Sequence, residues 1–132
     1  MAEHTHAIVW IDHKEARIFH FNAEDVERLV LHPHHPSRHI HHHANSIGSG
    51  HAAEDHKFLQ SVVDGIGPAG AVLITGPANA KTELMKHIEN HAPALKKAVA
   101  GVETLDHPSD GELVAHARRY FHADHQMPPR AG

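Results

Sequence analysis

Apolar residues follow two rhythms along this chain, and the change between them falls at one stretch. His6 to His13 (HAIVWIDH) sets Ile8, Val9, Trp10 and Ile11 in a row. The run is too short and too rich in β-branched and aromatic residues for a helix. Asp12-His13-Lys14-Glu15 breaks it, and ARIFHFN resumes with Ile18, Phe19 and Phe21 around His20. Two such runs joined by a short polar link predict an antiparallel hairpin. After a second break at Asn22 to Asp25, Val26 to Leu31 (VERLVL) predicts a third strand with Val26, Leu29 and Leu31 apolar, although VERLV also suits the start of a helix.

From His32 to His51 the pattern stops. Eight of these twenty residues are histidine, and only Ile40 and Ile47 are large and apolar. So long a connection without periodicity is uncommon in a small domain unless it is functional or disordered. Beyond it the period is helical. Ala53 to Ile66 places Phe58, Leu59, Val62, Val63 and Ile66 on one face, and Gly65, Gly67, Pro68 and Gly70 end the helix. Ala71 to Thr75 (AVLIT) is short and apolar, as a central buried strand requires. Asn79 is placed to cap a helix with Leu84, Met85 and Ile88 inward, and Pro93 interrupts it. A short helix over Pro93 to Val99 and a brief strand over Val102 to Leu105 follow. Ser109 and Glu112 have capping-box spacing at the start of a last helix with Leu113, Val114, Ala117, Tyr120 and Phe121 inward. The tail from Gln126 to Gly132 reads as frayed and flexible. The order β-β-β-loop-α-β-α-β-α predicts one α/β domain over 1–132, with a mixed, ribonuclease-H-like sheet.

Composition narrows the chemistry. The chain has 132 residues, enough for one core without staples, and no cysteine, so disulfides and thiolate metal sites are excluded. No apolar run approaches a membrane span and the amino terminus lacks the regions of a secretory signal, so a cytoplasmic address is expected. Nineteen histidines make the formal charge of −4 a poor guide. About a quarter of exposed imidazoles carry charge at pH 7 and about three-quarters at pH 6. Attraction to phosphate should therefore rise in mild acid.

Three readings of the histidine stretch stand side by side. It is a solvated segment; or a metal site, since His39, His41 and His43 alternate with His34, His35 and His51 nearby, and zinc, nickel or copper accept such nitrogens; or a nucleic-acid contact. The last would use Arg38, Lys57, His41, His42 and His43, with Gly48 and Gly50 keeping the loop tip flexible. No cofactor is required, and zinc or nickel are the ions the loop would take. His56, His87, His91, His116, His122 and His125 fall on predicted helices, mostly off the apolar faces, and read as surface residues. His87 and His91, at i, i+4, could chelate a metal, but the glutamate of an HExxH motif is absent. Asp12, Glu54 and Asp55 are the carboxylates a two-metal nuclease would use, yet the central strand supplies none, and Asp12 reads better as a turn residue.

IVWID followed by ARIFHFN resembles the opening hairpin of the middle domain of archaeal and eukaryotic peptide-release factors and their Pelota-type relatives. LITGPANAKTEL, from Leu73 to Leu84, is similar to that domain's strand-to-helix turn. The loop between the third strand and first helix stands where release factors carry their Gly-Gly-Gln loop. The likeness covers about Ile8 to Leu105 in the same order, and extends to small bacterial translational machinery proteins. It implies a ribosome or ribosomal-RNA partner, rather than DNA or a membrane. The glutamine that helps place water at the peptidyl ester has no counterpart in Asn45 to His51. Pelota-type relatives also lack it and act by binding stalled ribosomes. The chain is therefore expected to be a non-catalytic, translation-associated domain, with a histidine-rich metal- or pH-responsive binding protein as the alternative.

Overall fold

A computed structural model describes the backbone of residues 6–33 and 47–131, and the side chains of 6–33 and 55–122. The elements are β1 (His6–Ile11), β2 (Ala16–Phe21), β3 (Val26–Leu31), α1 (Ile47–Ile66), β4 (Ala71–Gly76), α2 (Ala80–His91), α3 (Pro93–Ala98), β5 (Val99–Thr104) and α4 (Asp110–Ala131). The strands form one sheet in the order β3-β2-β1-β4-β5. β1, β2 and β3 pair antiparallel, whereas β4 joins β1 and β5 joins β4 in parallel. This is the mixed α/β sheet implied by the sequence. β4 lies inside it, with Val72, Leu73 and Ile74 wholly buried, although β1 holds the middle place.

Alternation along the strands feeds two cores. Val9, Ile11, Ile18, Val72 and Ile74 face α1, α2 and α3, meeting Phe58, Val62, Ile66, Leu84, Ile88 and Leu95. Ile8, Trp10, Phe19, Phe21 and Leu73 face α4 through Leu113, Ala117 and Phe121. The capping box forms in both directions: Ser109 N–H donates to Glu112 Oε1 at 2.8 Å and Glu112 N–H to Ser109 Oγ at 3.1 Å. At the end of α1, Gly67 takes φ +64 and donates to Val63 O at 3.1 Å, a left-handed cap that glycine adopts without strain.

Several boundaries differ from the sequence reading. α1 starts at Ile47 rather than Ala53, so the connection between β3 and α1 ends before Ile47 and not at His51. The polar, glycine-containing first turns lack the apolar period by which the helix was recognised. β5 covers Val99–Thr104 rather than Val102 to Leu105. Gly101 lies within it, and an added Cβ there would stand 2.7 Å from Tyr120 Oη. Asn79 precedes α2 without a side-chain cap bond. Val26 and Leu29 are exposed because β3 is an edge strand. The backbone of α4 is helical from Gln126 to Ala131, and nothing among the described residues accounts for that continuation.

Candidate functional site

Strand directions decide where the histidine stretch is attached. β1, β3, β4 and β5 run the same way, so Ile11, Leu31, Gly76 and Thr104 end at one edge of the sheet. Residues 32–46 leave from Leu31 at that edge and return at Ile47. Crevices outside the carboxyl ends of parallel strands are where ligands of open α/β sheets usually bind. Exposed histidines stand here beside carboxylates. His13 Nε2 is 3.7 Å from Glu83, His32 Nε2 is 3.8 Å from Glu15, and His107 Nε2 is 3.9 Å from Asp12. Each pair becomes an ion pair only when its imidazole is protonated. Asp12 is a turn residue: its Oδ1 accepts from the backbone N–H of Lys14 at 2.7 Å and of Glu15 at 2.9 Å. The Lys81 ammonium folds back onto Ala78 O at 2.6 Å.

A second cluster joins α1 and α2. The rings of His56, His87 and His91 lie 4.5–5.1 Å apart by centroid. One ligand atom from each falls within 4.8 Å of the others, and this is the group of three or more potential metal ligands among the described residues. His87 is buried, at 5% exposure, whereas His56 and His91 are exposed. The His87 pKa is lowered by burial first, then by the proximity of His91 and His56. His87 Nε2 lies 2.8 Å from Gln60 Oε1, and Gln60 Nε2 donates to Asp64 Oδ1 at 3.0 Å. A carboxylate can only accept, so Gln60 turns its amide nitrogen to Asp64 and its oxygen toward His87. His87 therefore donates from Nε2, and its Nδ1 keeps a free lone pair.

The opposite face offers a groove beside α4 lined by Phe19, Val26, Arg28, Val114, Arg118 and Arg119. Its arginines are largely committed: Arg28 pairs with Asp110 at 2.7 Å, and Arg118 donates to Asn22 O at 3.1 Å.

Solved structures with a similar fold include two translation proteins. Archaeoglobus fulgidus Pelota matches over 86% of this chain and 30% of its own, with TM-score 0.60 and 12% identity. The archaeal translation termination factor aRF1 matches over 96% of this chain and 39% of its own, with TM-score 0.53 and 18% identity. The chain has the fold of a Pelota and release-factor domain. This agrees with the middle-domain resemblance in the sequence, and the chain spans about a third of the length of these two proteins. No protein-family model matches the chain, and no curated protein does.

On this release-factor-like fold the site residues expected from sequence are spread unevenly. Arg38 and His34, His35, His39, His41, His42 and His43 lie outside the described residues. Gly48, Gly50 and His51 are on the helical backbone of α1, so the two glycines belong to its first turns and not to a loop tip. Lys57 is exposed on α1, next in sequence to His56. Sequence reading paired His87 with His91 but took both for surface residues. The structure buries His87, because position 87 lies between Leu84 and Ile88 at the rim of the apolar face. It also adds His56 and Gln60. The available signal was a repeated spacing, His56-Gln60-Asp64 on one helix and His87-His91 on the other, but only the packing of the two helices joins the sets.

Proposed function

We propose that this chain is a translation-associated domain that engages the ribosome, contacts its RNA through the histidine-rich segment 32–46, and performs no chemistry there. One observation carries the reading. The segment follows β3, which ends at the same edge as β1, β4 and β5, and precedes α1, and the resemblance puts the Gly-Gly-Gln loop of release factors at this point of the chain. Proteins of the same fold are Pelota and an archaeal termination factor, which supports a translation role.

The residues favour binding over hydrolysis. Asn45-Ser46-Ile47-Gly48-Ser49-Gly50-His51 has no glutamine to position a water. Asp12, the carboxylate that follows β1, is committed to its turn through Oδ1. Arg38, Lys57 and protonated imidazoles would meet phosphate, while Glu15, Glu83 and Asp12 oppose it until the neighbouring histidines are charged. No helix among the described residues is long and apolar enough to cross a membrane, and a cytoplasmic site of action fits this role. Co-sedimentation with purified ribosomes, with and without chelator, together with release of labelled peptide from programmed ribosomes, tests the reading. Ribosome association without peptide release is expected; robust release contradicts the non-catalytic role.

A further inference from the structure

We propose that His56, His87 and His91 form a binding site for a divalent transition-metal ion of the zinc class, held between α1 and α2 and separate from the histidine-rich segment. Three imidazoles from two helices converge, one of them buried and two accessible. A tetrahedral ion with Zn–N bonds of about 2.0–2.1 Å needs its ligand nitrogens about 3.4 Å apart. The present spacing is within 4.8 Å, and rotation of the exposed His56 and His91 side chains would have to supply the remaining closure. His87 is the fixed member of the set.

The polar surroundings of His87 supply an independent argument. Metal-bound histidines ordinarily donate their second ring N–H to an oriented acceptor, which fixes the tautomer and raises the basicity of the ligating nitrogen. Gln60 Oε1 is that acceptor at 2.8 Å, and Asp64 holds the amide the right way round at 3.0 Å. Such an Asp-Gln-His chain leaves Nδ1 of His87 as the ligand atom. A histidine packed for structure alone requires only one partner, whereas here a second and a third imidazole face it with no hydrogen bond to Gln60 or Asp64 described for either.

The donor set also selects the ion. Three neutral nitrogens and no carboxylate suit zinc, nickel or copper, and disfavour magnesium and calcium, which require oxygen. Three protein ligands leave a fourth position for solvent or for an outside group. The titratable groups acting on His87 are His91 of α2 and His56 of α1. Protons compete for the same nitrogens, so binding should weaken as pH falls through the histidine range.

Calorimetric titration with zinc chloride decides the matter, provided that the other histidines do not mask it. The reference protein is the full chain with His34, His35, His39, His41, His42 and His43 changed to Ser. It should bind one zinc ion per chain. Adding His56→Ala and His91→Ala, both exposed positions that leave the core intact, should weaken that binding at least about 100-fold. Gln60→Leu, which keeps all three ligands, should weaken it by about 10–100-fold. Should the double variant fold poorly, His91→Asn alone provides the comparison, with a loss of about tenfold expected. A reference protein that takes up no zinc, or affinities within about threefold across these variants, overturns the proposal.

Discussion

His87 donates from Nε2 to Gln60 Oε1 across 2.8 Å, and this bond ties the second half of α2 to the middle of α1. Burial, and then His91 and His56, hold the His87 pKa below its ordinary value. A histidine whose pKa is depressed by folding binds fewer protons in the native state than in the unfolded chain. The stability it contributes is complete above about pH 6.5 and is lost as pH falls through the lower native value. Metal-free protein should thus lose stability in urea as pH falls below about 6.5. His87→Gln keeps a donor toward Gln60 and cannot titrate, so its stability should fall less over the same window. Parallel pH curves for the two proteins would refute the assignment.

Gly76 ends β4 beside Ile11 of β1. A Cβ there would stand 2.3 Å from Ile11 O, a backbone atom that cannot swing away. Gly76→Ala should cost about 1–3 kcal/mol in denaturant unfolding, through displacement of the paired strands. Gly111 supplies the contrast. It lies in the first turn of α4 with nothing within 4 Å of an added Cβ, and Gly111→Ala should be stabilising by about 0.5–1 kcal/mol.

Asp110 links three parts of the fold at the start of α4. Arg17 donates to its Oδ1 at 2.8 Å, Arg28 approaches Oδ2 at 2.7 Å, and the Arg17 guanidinium lies 4.6 Å from the Trp10 ring centroid. Arg17 is buried, so loss of its carboxylate leaves a desolvated charge with the Pro108 carbonyl at 3.0 Å and the more distant Glu15. Asp110→Asn should destabilise by about 1.5–3 kcal/mol, the usual worth of a hydrogen bond to a charged group. Arg28→Ala, at an exposed side chain, should cost no more than about 1 kcal/mol. Equal losses in thermal unfolding would mean that burial of Arg17 is not what matters.

Much of the fold was legible because it is written in local periods. The hairpin, the apolar β4 run, the Ser109–Glu112 box and the Pro93 break each rest on spacing within a few residues, and each occurs as read. What escaped depends on neighbours distant in sequence. Val26 and Leu29 look inward-facing until β3 is known to be an edge. The strand read over Val102 to Leu105 begins at Val99, where its pairing with β4 rather than its own pattern sets the start. The His56, His87 and His91 set could not be assembled from sequence, because α1 and α2 each show a pattern of their own and only their docking brings residue 56 to residues 87 and 91. The density of histidine at 32–51 drew attention there, while the arrangement with a built acceptor lies on the helices.

The central claim is that a release-factor-like fold carries a ribosome-binding segment at the edge where β3 ends. Co-sedimentation with ribosomes resolved by salt and pH tests it most directly. If the segment meets phosphate through charge, as proposed, association should fall with a slope of about −0.7 to −0.9 per phosphate on a double-logarithmic salt plot. It should strengthen as pH drops from about 7.5 to about 6.5, where imidazoles gain protons. The protein with His34, His35, His39, His41, His42 and His43 changed to Ser should keep its fold and lose most of that pH dependence. An absence of ribosome association at low salt and pH 6.5, or a pH response unchanged by these six substitutions, would contradict the account.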